Sequence, residues 1–213
     1  DENLLRMANA HMALGITARA TGQLQAAMRH CDEALAIHRR LGHERVANEI
    51  LNNLGDVQYA RGNVEEARRL QQTCLERGRH AKEYVAVAAS AAELARYALA
   101  DGELKEAIGF AVEARQAAER SGNHLLQARA LAIEGMTAAR QGRERVADGL
   151  FRRAFAMLQE RGAGAELAET CARFSDVLRE RGDSAGALAF MRMAYAREFD
   201  GLPSRLRTLR RRN

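Results

Sequence analysis

Small apolar residues recur along this chain with a step of 40 positions. One column is Ala27, Ala67, Ala107, Ala147 and Ala187, and a second is Ala34, Cys74, Ala114, Ala154 and Ala194. A third column of glycines, Gly22, Gly62, Gly102, Gly142 and Gly182, keeps the same step and sits in short polar turns such as R-G-N and D-G-E. Three columns in one register over five periods mark a stack of like units, each burying its apolar face on its neighbours. The segments between glycines are rich in Ala, Leu, Arg, Glu and Gln, all good helix formers, and they lack runs of β-branched and aromatic residues. The pattern therefore predicts an all-α chain. Helix pairs are expected at about 4–41, 44–78, 82–120, 124–161 and 165–199. Gly22, Gly62, Gly102, Gly142 and Gly182 turn the chain within units. L-G-H at 41–43, R-G-R at 77–79, S-G-N at 121–123 and R-G-A-G at 161–164 turn it between units. Turns this short make neighbouring helices antiparallel.

The best-formed unit reads L-N-N-L-G-D-V-Q-Y-A-R-G-N-V-E-E-A from Leu51 to Ala67. Its Leu51, Leu54, Gly55, Gly62, Ala67 and Cys74 resemble the pattern of the tetratricopeptide repeat (TPR), in a 40-residue form. The other units carry it at Leu14, Gly15, Gly22, Ala27 and Ala34, and at Leu131, Gly135, Gly142, Ala147 and Ala154. Ala95 and Ser175 replace the helix-A glycine in units three and five. The resemblance spans about residues 4–199. It implies a right-handed superhelical solenoid of about five antiparallel helix-turn-helix units, with helix A of each unit on the concave side. The small helix-A residue is expected to let helix A approach helix B of its own unit. The helix-B alanine is expected to meet the next helix A, where a bulky side chain would cost about 1–3 kcal/mol.

Charge alters the picture less than it first suggests. The net charge is +5, but Arg205, Arg207, Arg210, Arg211 and Arg212 lie in 201–213, a stretch without acids. Removing those five from 33 basic residues leaves 28 against 28 acidic ones. A neutral array lacks the footprint of a phosphate-backbone binder, so nucleic acid is not expected as a partner. Residues 201–213 are expected to form a basic C-terminal helix, either a cap for the array or the start of a linker or coiled coil to a further domain. The chain starts at Asp1 without an initiator Met and reads as a piece of a longer protein. Only Lys82 and Lys105 are lysines, a composition pointing to a bacterial source. Cys31, Cys74 and Cys171 are far apart and fall in small or apolar columns, which suits reduced core residues. No uncharged apolar run reaches the roughly 18 residues needed to cross a bilayer, and no signal peptide is evident, so a cytoplasmic location is expected.

Chemistry-bearing motifs are absent. There is no phosphate loop, dinucleotide fingerprint, zincin or nucleophile-elbow pattern. The six histidines show no pair at helical spacing. Neither catalysis, a metal nor a cofactor is expected. The candidate site comes from the resemblance, which places Asn52, Asn53, Asp56, Tyr59, Glu93, Arg96, Arg129, Arg173 and Asp176 on the concave face. Two adjacent asparagines in mid-helix are not chosen for helix propensity. Their amides both donate and accept, which suits a peptide backbone. Arg96, Arg129 and Arg173 recur on successive A helices, and each offers a fork for carboxylates. The expectation is a groove with an amide-bearing first half and a cationic second half, holding a protein or peptide segment of acidic character. The alternative is that these arginines only solvate the face, linked to Glu93, Glu169 and Asp176.

Two functions follow. The first is a protein- or peptide-binding scaffold or sensor module of a larger signalling or regulatory protein; similar 40-residue arrays occur in bacterial regulators and in kinesin light chains. The second is a self-association domain, a homodimer with no separate ligand, favoured by Leu4, Leu5, Met7 and Met12 on an uncapped first helix.

Overall fold

The computed structural model describes residues 2–160 and 162–200, with the side chains of 165 and 193–200 excepted. Ten helices follow one another among the described residues: α1 (Glu2–Ala20), α2 (Leu24–Arg40), α3 (Glu44–Ala60), α4 (Val64–Ala81), α5 (Tyr84–Ala100), α6 (Leu104–Ser121), α7 (His124–Arg140), α8 (Glu144–Glu160), α9 (Gly164–Glu180) and α10 (Ser184–Asp200). The even-numbered helices start 40 residues apart from Leu24 to Ser184, in step with the glycine column. The expected helix at 201–213 lies outside the described residues.

The turns show why glycine stands there. Gly62 adopts φ +84°, a left-handed conformation that an L side chain adopts only with strain. Its N–H donates to the Tyr59 carbonyl at 2.9 Å, and the next N–H, of Asn63, donates to the Gln58 carbonyl at 2.9 Å. The last carbonyls of α3 are thereby satisfied without side-chain caps.

One turn departs from the sequence expectation. The R-G-R stretch at 77–79 does not end unit two: α4 continues to Ala81, and Lys82 takes the left-handed position at φ 55°. Position 82 is in register with Gly42 and Gly122, which carry the same kind of turn. Gly78 instead lies buried inside the helix. A Cβ there would meet Val87 Cγ2 at 3.1 Å and Val87 N at 3.2 Å. It is small because α5 begins against it.

Packing follows the columns. Ala27, Ala67, Ala107 and Ala147 are fully buried, as are Ala34, Cys74, Ala114 and Ala154. Ala27 packs with Ala18 of α1 and Val57 of α3, so it joins one unit to the next. A Cβ on Gly15 would lie 2.8 Å from Cys31 Sγ, and one on Gly135 would lie 2.9 Å from the Phe151 ring. Helix A therefore approaches helix B of its own unit through those glycines. Beyond consecutive helices, contacts run between α1 and α3, α3 and α5, α5 and α7, and α7 and α9. The odd helices thus line one wall of the solenoid and the even helices cover the other.

Candidate partner-binding groove

The wall of odd helices encloses a groove of about 850 Å³ lined from α1, α3, α5, α7 and α9, with Leu158 of α8. Its lip is formed by the first turns of α5 and α7, where Tyr84, Val85 and Leu125 are exposed, Val85 to 51%. These apolar residues were not among the sequence candidates. The signal was there: position 45 is Arg, and the residues 40 and 80 further on are Val and Leu. An exposed apolar residue at a helix start reads as turn sequence until the stacking brings two of them side by side.

Five of the nine sequence candidates line the groove: Asn52, Asn53, Asp56, Arg129 and Arg173. The two asparagines differ. The Asn52 amide donates to Gln71 Oε1 at 2.7 Å and to Ser90 Oγ at 3.2 Å, and Gln71 Nε2 donates back to the Asn52 carbonyl at 3.1 Å. Its donors serve the joint between α3, α4 and α5. Asn53, half-buried beside it, presents its amide to the groove without such ties.

The other candidates stand behind or beside the groove. Glu93 is buried at 2% exposure and is the hub of the floor. It accepts from Arg96 Nε and Nη2 at 2.9 and 2.6 Å, and from Arg129 Nη2. The Arg96 guanidinium lies 4.1 Å from the Tyr59 ring centroid and 4.8 Å from that of Tyr97, and the two rings stack at 4.5 Å. Cation–π contact of this kind fixes the guanidinium's position. Burial alone would raise the Glu93 carboxyl, but Arg129 and Arg96 outweigh it and hold it below its ordinary value. Asp176 is exposed and pairs with Arg179 at 2.9 Å, away from the groove lining.

The expected cationic second half is thus corrected. Arg96 and Arg129 share Glu93, and Arg173 pairs with Glu169 at 2.6 Å. Each arginine sits within reach of a carboxylate on its own helix or the preceding odd helix, because burial in the wall demands a partner. Arg19 of α1, not among the candidates, extends this ladder to Asp56 at 3.7 Å. Asp56 is the odd member. Burial and the nearby Glu93 push its carboxyl up to about 6, against the pull of Arg129, Arg19 and Arg96.

The histidines also pair, across helices rather than along them. His11 Nδ1 lies 3.1 Å from His30 Nδ1, and His38 Nδ1 lies 3.2 Å from His43 Nδ1. Among the described residues no group of three or more His, Cys, Asp or Glu could hold a metal ion. No helix among them is long and apolar enough to cross a membrane.

Comparison with known proteins agrees with this architecture. The tetratricopeptide repeat family model matches residues 6–80 and 46–120. A crystal structure of the apo form of RapI superposes with a TM-score of 0.64 at 16% identity, covering 91% of this chain and 84% of that one. A putative kinesin light chain of Podosopora anserina, with nearly identical TPR-like repeats, superposes with a TM-score of 0.60 at 17% identity, covering 96% and 100%. BtubC (BKLC) from P. vanneervenii gives 0.58 at 17% identity, covering 95% and 94%. At these identities the likeness is one of fold. No curated protein matches the chain significantly.

Proposed function

The chain belongs to the tetratricopeptide repeat family, a repeat scaffold for protein–protein interaction, and we propose that its concave groove holds a segment of a partner protein. The module acts without catalysis, as a scaffold or sensor within a larger, bacterial and cytoplasmic, regulatory protein. The observation that carries the reading is the groove's construction. An apolar lip of Tyr84, Val85 and Leu125 stands over a floor in which four guanidinium groups, of Arg19, Arg96, Arg129 and Arg173, face three carboxylates, of Asp56, Glu93 and Glu169. Exposed apolar side chains beside fixed polar groups are the makings of a recognition site. The partner segment that suits it has a large apolar side chain for the lip, an acidic group for the unpartnered Nε donors of Arg19 and Arg129, and its backbone at the Asn53 amide.

A peptide array screened with the intact chain tests this, with Val85→Asp/Leu125→Asp as control. Captured peptides should lose at least about tenfold in affinity for the double variant, roughly 1.4 kcal/mol. Peptides that bind both proteins equally would place the site elsewhere.

One observation favours self-association instead. Met7, Leu14 and Ile16 of α1 are 46%, 50% and 41% exposed. Leu14 stands where Leu54, one unit on, is buried against its neighbours. If α1 is a dimer face, light scattering shows a mass above 23.5 kDa that rises with concentration and falls to the monomer with Leu14→Arg. A monomer mass throughout removes this reading.

A further inference from the structure

The floor of the groove holds more unpartnered buried polar atoms than any other part of the described structure. Asp56 Oδ1, Arg19 Nε and Arg129 Nε all lack a hydrogen-bond partner. They belong to neighbouring groups on α1, α3 and α7. Asp56 is the least compensated of the three floor carboxylates. Glu93 is bonded by two arginines and Glu169 by one, whereas the contact of Asp56 with Arg19 is a loose 3.7 Å. A buried carboxylate without good hydrogen bonds is costly to keep charged.

We infer that the groove takes up a proton, on Asp56, when an anionic segment of the partner settles over Arg19 and Arg129. This rests on the groove reading above and adds its regulation. The groups acting on Asp56 are Arg19 from α1, Cys74 from α4, Glu93, Arg96 and Tyr97 from α5, and Arg129 from α7. Arg45, Glu49, Glu83 and Glu166 line the groove as well, so with Asp56 ionised its charged groups sum to one negative charge, and with Asp56 neutral they balance. An incoming carboxylate at Arg19 and Arg129 is therefore opposed less once Asp56 is protonated. By reciprocity the bound carboxylate makes Asp56 easier to protonate. Acidification then tightens binding, and alkaline conditions loosen it. The Asp56 carboxyl sits at about 6 in the free protein. About three-quarters of the molecules are then protonated at pH 5.5 and about 3% at pH 7.5, so the linkage reaches at most about 20-fold in affinity.

Two measurements on the intact chain decide this. The first follows the Asp56 side-chain carboxyl by carbon NMR, assigned with Asp56→Asn. A midpoint near 6 supports the inference, and one near the ordinary aspartate value of about 3.9 overturns it whatever the groove binds. Glu93→Gln, which frees Arg96 and Arg129 from their carboxylate, should lower that midpoint. The second uses hexaglutamate carrying a rhodamine label that does not titrate in this range, with carboxylates that stay largely ionised at both pH values, read by anisotropy. The expected result is tighter binding at pH 5.5 than at pH 7.5 by up to about 20-fold, with Asp56→Asn binding equally at both. Equal wild-type affinities at the two pH values overturn the proton linkage and leave the groove reading standing. No binding at either pH sinks the acidic partner and the inference with it.

Discussion

Units three and four solve the same packing problem with opposite residues. In unit four the small helix-A position is Gly135, and the Phe151 ring fills the space a Cβ would take, 2.9 Å from it. Phe151 then stacks on Phe174 at 4.4 Å, and Phe155 and Phe190 extend the aromatic cluster toward unit five. In unit three the corresponding positions are Ala95 and Ala111, both fully buried, in a core dominated by alanines of α5 and α6. Glycine faces a large group and alanine faces alanine, so the two units close the same helix contact with different side-chain volumes, and the larger one in unit four is taken up by the aromatic cluster. The choice also bears on the groove. Alanine packing leaves α5 buried on most of its surface, and that helix holds Glu93 and Arg96 in the middle of the floor.

The comparison can be broken most forcefully at the ring. Phe151→Ala should cost about 3–5 kcal/mol in urea denaturation, because a fully buried side chain and its stack on Phe174 are lost together. Gly135→Ala should cost about 1–3 kcal/mol, since the ring cannot retreat from the added methyl while it is held by its aromatic neighbours. The sharper test combines them. Gly135→Ala/Phe151→Ala copies unit three, so the methyl that clashes with the ring should cost nothing, or stabilise, once the ring is gone. Equal costs of Gly135→Ala in both backgrounds would mean that helix backbone, and not the ring, demands the glycine.

Much of the architecture was legible because each unit repeats the message. The 40-residue columns located every turn but one, and the exception is physical. Glycine serves both left-handed turns and close helix contacts, and Gly78 is of the second kind while a lysine stands in the turn. Register with Gly42 and Gly122, rather than residue type, is what marks position 82. The groove was legible in outline, since Asn52, Asn53, Asp56, Arg129 and Arg173 do line it. Its pairings were not. Arg129 meets Glu93 from 36 positions away, a contact set by how one unit is rotated on the next. Nor does sequence reveal that Asp56 is buried with one oxygen unpartnered while Asp176 is solvated. Both directly follow the small position of an A helix, Gly55 and Ser175.

The smallest expected effect returns to the same two units at their outgoing turns. Lys82 ends α4 at φ 55°, and Gly122 ends α6 at φ 66°. The backbone N–H of each donates to the carbonyl three residues back, at 3.3 Å in both cases, Arg79 for Lys82 and Glu119 for Gly122. The next bond differs, since the Glu83 N–H donates to the Gly78 carbonyl at 2.9 Å and the Asn123 N–H to Ser121 Oγ at 3.1 Å, but at the left-handed residue itself the turns differ in the Cβ. A left-handed non-glycine residue costs roughly 1–2 kcal/mol, and glycine gives back about 0.5–1 kcal/mol of that through the freedom it adds to the unfolded chain. Lys82→Gly should therefore stabilise the array by about 0.5–1 kcal/mol, and Gly122→Lys should destabilise it by a similar amount. Urea denaturation of both variants measures the pair. Two shifts of the same sign would mean that the side chain at position 82 makes a favourable contact of its own, and that the two turns are not equivalent.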